Sequence, residues 1–255
     1  DQQYFRMGLM DLNAEFDVIQ TAQFFVNPSH GIGYDFSQTG DNGPAIYPNT
    51  SFGLHWKKQF NDDRYFQLIV LDGVAGDPNE SYGTHVILDQ DDGVLIGTEF
   101  GFDYSPENDR KFAVGLWRYT KESTLINDEN RLESNFGGYL IVDYFDFMTM
   151  FYHRMDGFFR IGFANSKVNI AETYVGFGTT ITPDSKRVLF DKVGIALSTI
   201  FFSRAYLGLS RYADLKPTEM VLELSLIKAF YLNSQFQPTL SYIINPSGGI
   251  DTRDR

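Results

Sequence analysis

The sequence predicts an all-β protein, a transmembrane antiparallel β-barrel that contributes about a dozen strands from this chain. Three observations carry the prediction. Segments of about ten residues alternate apolar side chains with small or polar ones, the period of a strand with one apolar face. Very short turns and longer irregular loops join these segments in alternation. Aromatic residues make up 16% of the 255 residues, with 24 Phe, 15 Tyr and 23 Gly, a mixture that favours strands and turns over helices.

The alternation begins with Tyr4, Arg6 and Gly8 on one face and Phe5, Met7 and Leu9 on the other. It returns at Phe52, Leu54 and Trp56, which alternate with Gly53, His55 and Lys57. A polar NDD turn at 61–63 leads into a return strand over 64–72. A second irregular region, 72–93, precedes the cleanest alternation in the chain, with Val94, Ile96, Thr98, Phe100 and Phe102 against Leu95, Gly97, Glu99, Gly101 and Asp103. The turn SPEND at 105–109 feeds a strand with Phe112, Val114 and Leu116 on one face and Lys111, Ala113, Gly115, Trp117 and Tyr119 on the other. Further strands follow at Phe158 to Phe163 and at Glu172 to Ile181, then the turn PDSKR at 183–187 and a strand over Glu219 to Leu226. A last strand runs through Phe236, Pro238, Leu240, Tyr242 and Ile244, while 135–155 and 188–212 are apolar enough for strands of less clear register.

Composition excludes several function classes. A net charge of -12 without a Lys/Arg cluster argues against nucleic acid. The absence of cysteine removes disulfides, thiolate catalysis and Cys-ligated metals, and four scattered histidines form no helical metal motif. The DQDDG run at 89–93 has its glycine misplaced for a calcium-binding EF-hand, so no metal and no cofactor is expected. No apolar run reaches the ~20 residues of a membrane-spanning helix, whereas a mean hydropathy of -0.24 suits barrel strands. The alternative is a soluble all-β carbohydrate-binding or glycoside-hydrolase domain, whose apolar faces would meet in a core. Its candidate carboxylate pairs, Glu99/Asp103 and Glu219/Glu223, sit four residues apart on one strand face. That is roughly 13 Å, too far for either glycosidase geometry without partners from other strands. No catalytic residue is assigned.

The longest irregular stretch, NPSHGIGYDFSQTGDNGPAIYP at 27–48, holds four glycines, three prolines, two aspartates and three aromatics. Such a mixture blocks helix and strand alike, and long ordered loops are either connectors or functional.

Five ordered blocks resemble the OprB-type carbohydrate-selective porins of Gram-negative outer membranes: MGLMDLNAEFD (7–17), the 27–48 stretch, LDGVAGDPN (71–79), GLWRYT (115–120) and QPTLSYIINPSGG (237–249). The resemblance implies a sixteen-stranded barrel passing monosaccharides and similar small sugars by diffusion, with loops folded inward to a polar constriction. Partners are then small sugars and outer-membrane lipid, with a homo-oligomer or other membrane proteins as candidates. Family members carry strands before the first block and one more after the last. The expectation is therefore one barrel domain over 1–255 that lacks N-terminal strands and the closing C-terminal strand.

Sugar recognition in a pore needs aromatic surfaces for the ring and polar groups for its hydroxyls. Strand parity points Arg6, His55, Lys57, Glu99, Asp103, Lys111, Arg160, Glu172, Glu219 and Glu223 into the lumen, since an Arg or Lys facing lipid at the midplane costs roughly 2–4 kcal/mol. Of these, Arg6, His55, Glu99, Lys111 and Arg160 are the pore-lining candidates. Trp117 and Tyr119 join them by parity, unless they anchor an aromatic belt at the interface. In the 27–48 stretch, Asp35, Gln38, Asp41 and Asn42 are constriction-loop candidates, with loop-internal hydrogen bonds as the competing role.

Overall fold

Alternation of side chains becomes a twelve-stranded antiparallel sheet in the computed structural model, which describes residues 2–60, 63–77, 88–104, 109–150, 153–184, 189–209, 215–230 and 234–246. Residues 61–62, 105–108 and 185–187 of the expected turns, and 78–87 of the irregular region 72–93, lie outside the described residues. The strands are β1 (Gln2–Met10), β2 (Ser51–Gln59), β3 (Arg64–Asp72), β4 (Val94–Phe102), β5 (Arg110–Tyr119), β6 (Ser123–Leu125), β7 (Asp128–Glu133), β8 (Phe136–Met150), β9 (His153–Ala164), β10 (Ala171–Pro183), β11 (Lys192–Phe202), β12 (Thr218–Ala229), β13 (Gln235–Phe236) and β14 (Thr239–Ile244). The sheet runs β1-β2-β3-β4-β5-β8-β9-β10-β11-β12-β13, with β14 also paired to β12, and β6–β7 form a separate hairpin. Consecutive neighbours joined antiparallel are what a barrel wall requires.

One expectation is corrected, and one open register is explained. The expected single strand through Phe236 and Ile244 is split into β13 and β14, because Pro238 offers no N–H to the ladder. The uncertain register of 135–155 has a local cause: β8 shifts register against β9 between Tyr144 and Met148, and Asp146 takes a positive φ of 50°. Likewise 188–212 holds β11 and then a one-turn helix, α2 (Arg204–Leu207).

The two faces of the sheet differ as lipid and interior differ. On β5, Phe112, Val114 and Leu116 are 37%, 39% and 56% exposed, while Ala113, Trp117 and Tyr119 are buried. Phe5, Met7, Leu54, Phe163, Phe177 and Leu224 continue the outward apolar row. Among the described residues no second large sheet covers that row, so the core that a soluble sandwich needs is not formed there. The described helices are one turn long, none of them able to cross a membrane; lipid contact falls to the strands.

The inner face is filled by the segment between β1 and β2. Residues 11–50 are irregular apart from single 3₁₀ turns (Leu12–Ala14, Thr21–Phe24, Pro28–His30) and the one-turn helix α1 (Tyr34–Ser37). Leu12, Phe16, Ile19, Phe24, Phe25 and Phe36 of this segment form one buried cluster with Ile69, Leu95, Trp117, Tyr139, Ile141 and Phe158 of the wall. Small residues across the ladder make room for the large ones. Tyr139 is registered opposite Gly115 and Gly162, and a Cβ at Gly115 would overlap its ring. The small inward residues of the alternation, Gly115 and Gly162 among them, therefore serve, over this part of the wall, a packed interior.

Candidate functional site

Residues 11–50 contain five acidic residues (Asp11, Glu15, Asp17, Asp35, Asp41) and no Lys or Arg. The wall answers with both signs of charge. Its cations take the segment's carboxylates: Arg6 pairs with Glu15, Lys121 with Asp41 at 3.0 Å, and Arg160 with both Asp17 and Asp35. Its carboxylates take the segment's backbone N–H groups, which have no ladder of their own to join.

Glu99 is the first of these acceptors. Its carboxylate receives hydrogen bonds from the Tyr65 hydroxyl at 2.6 Å, the Tyr139 hydroxyl at 2.6 Å, Gln67 Nε2 at 2.9 Å and the Asp17 N–H at 3.2 Å. Asp143 accepts from the Thr21 N–H at 3.1 Å and from the Tyr104 hydroxyl. Glu223 accepts from the Val26 and Asn27 N–H groups at 2.8 and 2.9 Å and from the Ser225 hydroxyl at 2.6 Å. Charge-assisted bonds of this kind are the strong ones in a dry interior. His30 packs against the same carboxylate, its Nε2 3.6 Å from Glu223 Oε2. Burial pushes the imidazole down to about 4, against the pull of Glu223.

Arg160 is the largest fully buried side chain of the described residues and the centre of the arrangement. Its Nε and Nη2 donate to Asp17 Oδ1 and Oδ2 at 2.8 and 2.6 Å, and its Nη1 and Nη2 donate to Asp35 Oδ1 and Oδ2 at 2.6 and 3.3 Å. The guanidinium lies 5.4 Å from the Tyr139 ring centroid and 5.1 Å from that of Tyr174. Two carboxylates on one guanidinium leave the cluster net negative, and burial raises both carboxyls against the guanidinium's pull.

The remaining sequence-predicted residues fall into three groups. Trp117 and Tyr119 point inward and lie under the segment: Trp117 stacks on Phe36 at 4.8 Å between centroids and 2° between planes, and the Tyr119 hydroxyl lies 3.3 Å from the carbonyl oxygen and hydroxyl of Thr39. Lys111 donates to the Val18 carbonyl at 3.0 Å, and His55 Nε2 lies 3.1 Å from Gln67 Oε1. These residues, like Glu99, Arg160, Glu223 and Asp35, face protein groups. Arg6 is exposed beside Glu15, Lys57 lies 3.5 Å from Asp103, and Glu172 sits at the register shift between Ala171 and Thr173.

The third group borders an open cavity of about 690 Å³ between the segment and Glu219 of β12. Gln38, Asp41 and Asn42 line it, with Tyr34, Tyr47 and Glu219. Within the one-turn helix α1, Asp35 and Phe36 are buried against the wall, Ser37 and Gln38 border the cavity, and Tyr34 borders it while also packing on Ala171, Tyr174, Ile200 and Phe202 of β10 and β11. Asp17, Tyr65, Gln67, Tyr139 and Asp143 escaped the sequence reading. Parity would have placed Gln67 and Tyr139 inward, but nothing local marks them as partners of a segment up to 122 residues away.

The family model described as carbohydrate-selective porin, OprB family, matches residues 1–255. No curated protein sequence matches the chain. Among solved structures, the fold is similar to a Pseudomonas putida OprB structure determined at high pH, with a TM-score of 0.79 at 13% identity. That match covers 96% of this chain and 65% of the other, so the chain spans a little under two thirds of its neighbour's length. Twelve antiparallel strands, an outward apolar row, an inward-folded segment and a family match over every residue agree: the chain belongs to the carbohydrate-selective porins of the OprB family, proteins of the Gram-negative outer membrane.

Proposed function

We propose that the chain forms the wall and the inward segment of a channel through which monosaccharides and similar small sugars diffuse passively. The observation that carries the reading is the cavity on the open side of residues 28–49. Gln38 offers amide donors and acceptors, Asn42 its amide oxygen while its Nδ2 donates to the Ala75 carbonyl at 2.5 Å, Asp41 and Glu219 carboxylate acceptors, and Tyr34 and Tyr47 ring faces for the C–H surface of a pyranose. Those groups bind hydroxyls one at a time and weakly enough to release them, as conduction demands. Trp117 and Tyr119 support the cavity from behind rather than touching solute, and no covalent chemistry is required. Among the described residues β1 pairs only with β2 and β14 only with β12, and the same reading has their outer edges completed by further strands, because an unpaired strand edge in hydrocarbon costs several kcal/mol per unsatisfied group. Planar-bilayer recording of the full-length protein with added glucose tests the proposal. A small ion conductance that falls as glucose rises supports it; a large conductance indifferent to every sugar overturns it.

A further inference from the structure

We infer that Arg160 is the positioning residue that sets the aperture of the channel, holding α1 against β9 so that Tyr34, Ser37 and Gln38 of the same turn stand as the cavity wall. The inference rests on the proposed passage through that cavity and adds which contact fixes its width. Asp17 and Asp35 lie 18 positions apart in the segment, and Arg160 ties both to one point of the wall. The fork of the guanidinium is what allows it: Nη2 bonds both carboxylates while Nε and Nη1 complete one pair each. A lysine ammonium is a point charge and cannot hold two carboxylates in that fixed plane.

The surroundings leave the site no slack. A Cβ at Gly33 would overlap the Arg160 guanidinium, and a Cβ at Gly162 would overlap the Asp35 carboxylate. The rings of Tyr139 and Tyr174 stand within 5.4 Å of the guanidinium carbon. Between the locked Asp35 and the cavity-facing Tyr34 and Gln38 there is less than one turn of helix. A displacement of Asp35 is therefore transmitted to the lining with no joint between them. Asp17, by contrast, sits at the other end of the segment and does not border the cavity.

The test compares Arg160→Met, Arg160→Lys, Asp35→Asn and Asp17→Asn in the full-length protein, each checked for barrel assembly by heat-dependent gel mobility. Ion conductance and the sugar size cut-off in liposome swelling are then measured. Arg160→Met and Arg160→Lys should raise conductance and shift the cut-off from monosaccharides to trisaccharides. Asp35→Asn should move both readouts in the same direction, and Asp17→Asn should leave them near wild type although Asp17 accepts three hydrogen bonds from Arg160 and Asp35 two. That contrast separates positioning from bulk stability, which both Asn variants would lower. Assembled Arg160→Met with wild-type conductance and cut-off overturns the inference, as does equal widening by the two Asn variants. Should Arg160→Met fail to assemble, the Asp35/Asp17 contrast decides alone. If the wild type conducts ions but admits no sugar, the passage reading fails while the aperture is still read from ion conductance.

Discussion

Replacing Phe36 by alanine isolates the docking of the inward segment from the stability of the barrel, because Phe36 lies in no strand and contributes nothing to the ladders. Its side chain is 1% exposed and stacks on Trp117, itself 3% exposed, with Tyr139 at 6.2 Å. Truncation of a buried Phe costs about 3–5 kcal/mol, of which an aromatic pair accounts for about 0.5–1.5. Taking about 3 kcal/mol, the ratio of undocked to docked segment rises more than roughly a hundredfold. The two tryptophans provide the assay. Trp56 faces outward between Phe5 and Phe66, so within residues 1–255 a Trp56→Phe background leaves Trp117 as the reporter at the docking interface. In detergent, urea should red-shift Trp117 emission and open it to acrylamide at a lower midpoint in the Phe36→Ala variant. Leu116→Ala, next to Trp117 in sequence but on the outward face, should leave that midpoint in place. A Phe36→Ala midpoint within about 0.5 kcal/mol of its parent would refute the packing argument.

Two further predictions use the same reporter. His30 titrates at about 4 when docked and at 6.5 when free, so the undocked segment takes up a proton first and docking weakens as pH falls from 6.5 to 4. At 1.36 kcal/mol per pH unit the loss reaches up to about 3 kcal/mol, and His30→Phe should show less of it than wild type; equal pH slopes would remove His30 from the account. Gly162→Ala should lower the docking midpoint by about 1–3 kcal/mol through overlap with Asp35, whereas Gly31→Ala, whose Cβ would sit 3.4 Å from the Pro28 carbonyl, should change it by less than about 0.5 kcal/mol. Equal midpoints for the two would show that the site has slack after all.

The strand rows were legible in the sequence because side-chain direction in a strand is a local property with a period of two. Lys111, Trp117 and Tyr119 on β5, and Glu219, Glu223 and Ser225 on β12, share a face by counting alone. What counting cannot give is which inward side chains a distant segment covers. Asp35 and Gln38 look alike in composition and lie three residues apart, yet a single helical turn sends one to Arg160 and leaves the other beside the cavity. That turn forms in a glycine-rich stretch where propensity disfavours it, so its cause is tertiary. The split at Pro238 was readable in principle, since proline gives no donor to a ladder, but alternation through Leu240 and Tyr242 masked it.

The partners of residues 11–50 also prescribe an order of events. Sequence separations run from 82 residues for Asp17 with Glu99, through 143 for Asp17 with Arg160, to 197 for Val26 with Glu223. A segment that emerges directly after the first described strand thus has its anchors scattered as far as β12, and cannot seat until those strands stand side by side. Contacts of such range form late, since the chain must first be brought together to make them. Assembly of the wall and narrowing of its interior are separate acts, and the second waits on the first.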